Sequence, residues 1–204
     1  MSKYLIALLN LIVLVNAPKV SAQHQAFETI SAGAFLGYAA TGNELLDRWD
    51  SKPSLQLSLQ TPFYAGHLET GVRSTQFTNS PGFPGYSDFQ STFVYLGWGY
   101  DFALTDKLRV GPLLRFGTTF FNYDEAKLYT RPDVNWVYDF DTNESEFAYE
   151  LIFRSMYRLS ENFSAYAEFT NNRTLTYHPI RLNYLSAGII YTFNSPGWLK
   201  KVLE

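Results

Sequence analysis

The chain has 204 residues, of which 18% are aromatic and none is cysteine, and its formal net charge at pH 7 is -3. That length suits one domain, and the slightly acidic balance excludes the basic surface that binds nucleic acid. Without cysteine, an exported domain of this size has neither disulfides nor a lipid-modified cysteine and must be stabilised in another way. Closure of a hydrogen-bonded barrel is one such way, because every backbone donor and acceptor then has a partner.

The first 22 residues have the pattern of a secretory signal peptide. Lys3 supplies a positive start, and residues 4–15 form an apolar segment that is too short for a comfortable transmembrane helix. Residues 20–22, Val-Ser-Ala, are small and typical of a cleavage site. We therefore expect a mature chain that begins at Gln23, with an uncleaved N-terminal anchor as the alternative.

Eight later segments alternate apolar and polar residues with a period of two, which is typical of β-strands. They are residues 27–38, 53–61, 67–77, 89–102, 108–121, 146–158, 163–171 and 183–193. No segment after residue 22 contains a long unbroken apolar run, as expected where only alternate residues face lipid. The pattern predicts an all-β fold, an eight-stranded antiparallel up-and-down barrel that spans a membrane.

The connections between these segments also follow a pattern. Those after the second, fourth and sixth segments are short, at residues 62–66, 103–107 and 159–162, and the others are long, at 39–52, 78–88, 122–145 and 172–182. Outer-membrane barrels have short periplasmic turns and longer extracellular loops. We therefore predict a barrel domain at residues 23–193 in the bacterial outer membrane, with a periplasmic tail at residues 194–204.

Alternation alone does not decide which row of residues faces inward, and a soluble lipocalin-like barrel or a sandwich is the alternative. The polar rows hold charged residues, glutamine and several glycines, which suit a narrow polar interior. The apolar rows end in aromatic residues, as the girdles at membrane interfaces do. We therefore expect a lipid-facing surface that includes Leu55, Leu57, Leu59, Leu96, Trp98, Leu114, Leu151, Phe153, Ile189 and Tyr191.

The inward rows carry the charged residues of interest. An eight-stranded barrel has an interior just wide enough for its own side chains. Seven charged residues fall on these rows: Glu69, Arg73, Arg109, Arg115, Glu150, Arg154 and Glu168. Because an isolated buried charge is costly, we expect these residues to pair and plug the lumen. A conduction pathway for small solutes and an active site in the lumen are the alternatives.

At this point the chain resembles the small eight-stranded outer-membrane barrel families, such as the OmpX- and OmpW-like barrels. The resemblance covers residues 27–193 and rests on the strand pattern and on the ending Gly188-Ile189-Ile190-Tyr191-Thr192-Phe193. That ending looks like the C-terminal signal read by the barrel assembly machinery, so Gly188, Tyr191 and Phe193 are the expected assembly signal. The resemblance implies outer-membrane lipids, lipopolysaccharide and that machinery as partners, and a monomeric state. The tail after Phe193 is either a short amphipathic helix at the membrane surface or a frayed end.

The seventh segment offers two weak catalytic candidates. Residues 167–172 are similar in shape to the His-x-Ser-Asn stretch of lipid A deacylases, with Glu168 at the His position and Thr170 at the Ser position. In that family the pair lies on the outer wall, and its chemistry would make this chain an acyl hydrolase of lipid A or phospholipids. Both family residues are missing here, and no base lies beside an evident nucleophile. We therefore assign no catalytic residue and expect a structural or surface-interaction role.

Metal binding has little support in the sequence, because cysteine is absent and the three histidines are scattered. Asp133, Asp139, Asp141 and Glu144 provide oxygen ligands of the kind that Ca²⁺ prefers. Their spacing matches no known binding loop, so we predict a solvated acidic loop, no metal and no cofactor. The aromatic residues of the same loop are suited to a recognition surface facing outward.

Overall fold

The eight segments form a closed antiparallel barrel, which confirms the predicted fold class. The structure is a computed structural model that describes residues 27–42, 45–80, 87–124, 128–130, 137–139, 143–177 and 179–198. Its elements are β1 (Thr29–Gly42), α1 (Leu45–Arg48), β2 (Trp49–Ser51), β3 (Ser54–Phe63), β4 (Gly66–Asn79), β5 (Phe89–Gly99), β6 (Phe102–Ala103), β7 (Leu108–Tyr123), β8 (Leu128–Thr130), β9 (Val137–Asp139), β10 (Asn143–Arg158), β11 (Phe163–Thr174) and β12 (Ile180–Asn194).

The wall of the barrel consists of the eight long strands β1, β3, β4, β5, β7, β10, β11 and β12. Each pairs antiparallel with the next along the chain, and β12 pairs with β1, so the wall has no free edge. No helix in the described part of the chain is long and apolar enough to cross a bilayer. The end of the barrel at which β1 begins and β12 ends is called the lower end below, and the opposite end the upper end.

The two faces of the wall follow the predicted parity. All ten residues expected on the lipid-facing surface lie on the outside, where between 43% and 56% of each side chain is exposed. The charged rows point inward. Several large apolar side chains share that interior, among them Phe35, Phe93 and Ile190, which are almost fully buried. The interior is therefore a mixture of charged and aromatic groups.

Some strands continue past their predicted ends. Polar residues such as Asn172 and Arg181 were expected in a long connection, but they belong to the ladder between β11 and β12. Backbone pairing continues outside an apolar band because it needs no apolar side chains. The connection between β11 and β12 is therefore residues 175–179, which is shorter than the connection between β5 and β7, and the prediction of a long loop there was wrong.

The upper end of the lumen is filled by an aromatic cap. This cap consists of the buried residues Ala39, Phe77, Phe89, Phe121, Leu182 and Tyr184. Phe77 and Phe89 stack with their ring centroids 4.8 Å apart. The first long connection covers the cap: Leu45 and Leu46 of α1 pack against it, and Trp49 contacts Phe89 edge-on. β2 pairs with β4, so this connection is a folded cover over the mouth.

Gly71 on β4 makes room for an aromatic ring inside the barrel. A Cβ atom at this position would collide with the carbonyl oxygen of Leu57 and lie 2.8 Å from Cζ of Tyr95. We expect Gly71→Ala to lower the free energy of unfolding by about 1–3 kcal/mol, because overpacking shifts the ring and the wall. Urea unfolding in lipid vesicles measures the change. Gly197→Ala is the control, since nothing lies within 4 Å of its Cβ position; equal midpoints for both variants would contradict the packing argument.

Candidate functional site

Three glutamates and three arginines meet in the middle of the lumen. This lumen charge network consists of Glu69, Arg73, Arg115, Glu150, Arg154 and Glu168, none of which is more than 4% exposed. The formal charges sum to zero. Charges buried this deeply are tolerated only where they are paired and hydrogen-bonded, so the geometry of each arginine decides whether the network is satisfied.

Arg115 is the hub of the network, because its guanidinium contacts all three glutamates. Its Nε donates to Oε1 of Glu69 at 2.9 Å, and its Nη2 lies 3.1 Å from each carboxylate oxygen of Glu168. Its Nη1 donates to Oε2 of Glu150, the third glutamate, at 3.4 Å. The side chain has no exposed area, so one cation neutralises parts of three buried anions.

Arg154 joins Glu168 and Glu69 from the other side. Its Nε donates to Oε1 of Glu168 at 2.7 Å, and its Nη2 donates to Oε2 of Glu69. Its Nη1 donates to Oε1 of Gln60 at 3.1 Å and lies 3.2 Å from Nε2 of His67. The network therefore extends through neutral side chains toward the lower end of the barrel.

Arg73 connects the network to the aromatic cap. Its Nη2 lies 2.6 Å from Oε1 of Glu150, which also accepts a hydrogen bond from Nδ2 of Asn172 at 3.0 Å. The guanidinium carbon lies 3.9 Å from the centroid of the Tyr184 ring. Cation–π attraction in a desolvated place adds to the ion pair, so the charges and the cap form one continuous packed unit.

Each of the other two arginines also lies against a tyrosine ring that the sequence analysis did not select. Arg115 lies 4.6 Å from the Tyr95 centroid, and Arg154 lies 4.9 Å from the Tyr166 centroid. The Tyr95 hydroxyl donates to Oε1 of Glu69 at 3.1 Å. Both tyrosines lie on inward rows, so the period-two pattern alone would have placed their rings in the lumen.

The strand register explains why the charges meet. Gly97 on β5 is the direct partner of both Glu69 on β4 and Arg115 on β7. Because Gly97 has no side chain, Arg115 reaches across β5 to Glu69. Glu150 is the direct partner of Arg115 on its other side, and Arg154 is the direct partner of Glu168. The register thus brings charges of opposite sign side by side on neighbouring strands.

The lower end of the lumen is an open vestibule of about 430 Å³. His67 lies at its inner end, with Nδ1 3.4 Å from Oδ2 of Asp101. Arg109 was predicted in the charge network, but it is exposed and lines the vestibule beside Lys107 and Arg158. The prediction that Arg109 joins the charge network was wrong. Arg109 is the second residue of β7, six positions before Arg115, so its side chain belongs to the rim and not to the middle of the lumen.

The two weak catalytic candidates lie on an inward row, where the sequence analysis had already placed Glu168. Glu168 is 3% exposed and Thr170 is 1% exposed, and both point into the lumen. Their neighbour Phe169 is the residue that faces outward, and Glu168 is bound by two arginines. An outer-wall hydrolytic pair requires contact with lipid, and the inward parity of residues 168 and 170 removes that contact.

The last strand places the expected assembly signal at the lower end. Tyr191 and Phe193 lie on the outward row with their rings stacked at 6.0 Å, and Gly188 lies on the inward row beside Phe35. After Asn194, the backbone N–H of Ser195 donates to the carbonyl of Glu28.

Residues 199–204 of the tail, the acidic loop positions 133 and 141, and the side chain at 139 lie outside the described residues. Glu144 is half-buried near the upper end of β10.

A closed eight-strand wall, an apolar exterior and a polar interior define the chain as a small membrane β-barrel of the outer-membrane type. No protein-family model matches the chain, and no curated protein matches it in sequence. Among solved structures it is similar to the Neisserial surface protein A, with 14% identity over 81% of this chain and 96% of that chain and a TM-score of 0.56. It is also similar to the N-terminal β-barrel domain of Pseudomonas aeruginosa OprF, with 14% identity, 83% and 100% coverage and a TM-score of 0.46. The likeness to the first of these structures shows a shared fold alone.

Proposed function

We propose that the protein is an outer-membrane barrel with a closed lumen, which acts through its loops and its outer wall. The observation that carries this proposal is Arg115, which is fully buried at the centre and contacts glutamates from three other strands. An eight-stranded interior leaves little space beyond its side chains, so such a hub fills the cross-section. The aromatic cap closes the lumen at the upper end, in addition to the charge network in the middle.

The sequence and the fold both support an outer-membrane location. The N-terminal segment has the pattern of an export signal, and an apolar exterior requires a bilayer around the wall. β1 begins and β12 ends at the lower end, which faces the periplasm if the chain enters the membrane from that side. The covered mouth and the longer connections at the upper end then face outward, where recognition of other surfaces takes place.

A narrow channel is the competing function, and conductance distinguishes the two. We expect no conductance steps when the protein, purified from the outer-membrane fraction, is added to planar bilayers at 1 M KCl. Heat-modifiable migration on a gel confirms that the added protein is folded, and a porin inserted under the same conditions confirms that the bilayer reports open pores. Regular steps from the folded protein would overturn the closed-lumen proposal.

Acyl hydrolysis gains no support from the structure, because the only sequence candidates for it, Glu168 and Thr170, are held inside the lumen. The cation partners of Glu168 keep its carboxylate engaged, and no lipid reaches either group. The outer wall therefore enters the proposal as a binding surface.

A further inference from the structure

Three cations lie side by side at the lower mouth of the lumen. Lys107, Arg109 and Arg158 are exposed and line the vestibule of about 430 Å³. The backbone N–H of Arg158 donates to the carbonyl of Lys107 at 2.8 Å, one step beyond the partners Tyr157 and Leu108. Lys107 and Arg158 are therefore opposite each other, and Arg109 follows two residues further along β7, toward the lumen. This cation cluster gathers three positive charges along two neighbouring strands.

The cation cluster is paired with no carboxylate in the part of the chain that the structure describes. Two carboxylates do line the vestibule, but Asp101 is engaged by His67, and Glu161 is exposed in the turn between β10 and β11. Like charges placed opposite each other destabilise a sheet. A bound anion offsets this repulsion, because the N–H donors of guanidinium groups match the oxygens of a carboxylate or a phosphate.

The wall beside the cation cluster carries hydroxyl groups that also line the vestibule. Ser164 on β11 is the cross-strand partner of Arg158, and Ser31 on β1 is the partner of Thr192 on β12. The hydroxyl oxygens of Ser31 and Thr192 lie 2.7 Å apart. A hydroxyl has one donor and two acceptor positions, so this hydroxyl wall of Ser31, Ser164 and Thr192 keeps hydrogen-bonding capacity for a ligand that itself carries hydroxyls.

The vestibule has the size of a small-ligand site and is closed at its inner end. Its volume of about 430 Å³ lies within the range of roughly 300–1,000 Å³ that is typical of such sites. Behind it, Arg154 donates to Gln60 and contacts the ring of His67, which joins this end to the charge network. At the rim, Tyr64 in the turn between β3 and β4 is 60% exposed. Its ring offers an apolar surface with a polar tip, which suits one face of a sugar ring.

We propose that the vestibule is a binding site for an anionic sugar. The carboxylate or phosphate of the sugar binds the cation cluster, its hydroxyls bind the hydroxyl wall, and its ring packs against Tyr64. A neutral sugar lacks the first contact and a simple anion lacks the other two, so the combination gives selectivity. The lower end faces the periplasm in the orientation proposed above, but binding at the vestibule is measured as occupancy and is independent of the conductance that tests the closed lumen.

Isothermal titration calorimetry on the folded protein in phosphatidylcholine nanodiscs, which leave both ends of the barrel accessible, tests this site. The probes are N-acetylmuramic acid, which carries a carboxylate, N-acetylglucosamine 6-phosphate, and neutral N-acetylglucosamine. We expect at least one of the anionic sugars to bind about tenfold to a hundredfold more tightly than the neutral sugar, as for the gain of one or two charge-assisted hydrogen bonds. The tighter of the two anionic sugars identifies the acid group that the site prefers.

Variants separate the cation cluster from the cavity. R109Q/R158Q should weaken the binding of the preferred anionic sugar to the level of the neutral one. K52Q/R173Q is the matched control, because it removes two cations from the upper end and should leave the affinity unchanged. S164F keeps every charge but fills the vestibule from β11, so it should also weaken the preferred sugar. Heat-modifiable migration shows whether each variant is folded.

Three results would overturn the proposal, and the first needs no variant. Equal binding of the neutral and anionic sugars to the wild type, or binding of none of them, would exclude recognition of the acid group. An equal loss in K52Q/R173Q would assign the binding to the overall charge of the protein. Displacement of the sugar by acetate or inorganic phosphate at matched concentrations would reduce the site to an attraction for any anion.

Discussion

Replacing Glu150 with alanine is expected to lower the free energy of unfolding by about 3–5 kcal/mol, the usual cost of leaving a buried charge without its partner. Glu150 lies 2.6 Å from Arg73 and 3.4 Å from Arg115, and it accepts a hydrogen bond from Asn172. Among the described residues Arg73 forms its ion pair with Glu150 and also lies against the rings of Phe93 and Tyr184, so the substitution leaves a buried cation without its carboxylate. The barrel then either hydrates its interior or unfolds at a lower urea concentration.

Urea titration in lipid vesicles, read by tryptophan fluorescence and by heat-modifiable migration, measures this loss. Glu161→Ala is the matched control, because Glu161 is an exposed glutamate in the turn between β10 and β11 and should change the midpoint little. The double variant Glu150→Ala/Arg73→Ala should lose less stability than the two single variants added together, since it removes the pair as a unit. A wild-type midpoint for Glu150→Ala would refute pairing inside the lumen.

The sequence predicted the wall well because a barrel strand repeats every two residues and has only two faces. Leu55, Leu57 and Leu59 on β3 settle the parity of that strand by themselves, and the same reasoning placed six of the seven charges in the lumen network. Arg109 has the same parity as Arg115, so parity alone could not separate them. Their difference is one of height along the strand, which depends on where the strand begins relative to its neighbours.

The sequence could not predict which charges pair, because pairing depends on the register between strands. Arg115 reaches Glu69 only because Gly97 lies between them in the ladder. Nor does an alternating pattern indicate that Phe77 and Phe89 stack above the network, since apolar residues on an inward row contradict a purely polar interior.

Replacing Leu57 with arginine is expected to lower the free energy of unfolding by about 2–4 kcal/mol in bilayers, the cost of a cation near the midplane on the lipid face of a barrel. Leu57 is the middle residue of the outward row on β3, and its cross-strand partners Ala34 and Val72 are apolar. The wild-type side chain is 49% exposed on the outer wall, so steric conflict inside the barrel does not contribute.

Leu159→Arg provides the comparison that isolates the bilayer as the cause. Leu159 is 59% exposed, but it lies in the turn between β10 and β11 at the lower end, outside the apolar band. Both variants place an arginine on an exposed leucine, so in a solvent of uniform polarity they would have the same small effect. A large loss for Leu57→Arg with little change for Leu159→Arg therefore measures the hydrocarbon around the wall. If both substitutions are tolerated equally, the outward rows do not face acyl chains.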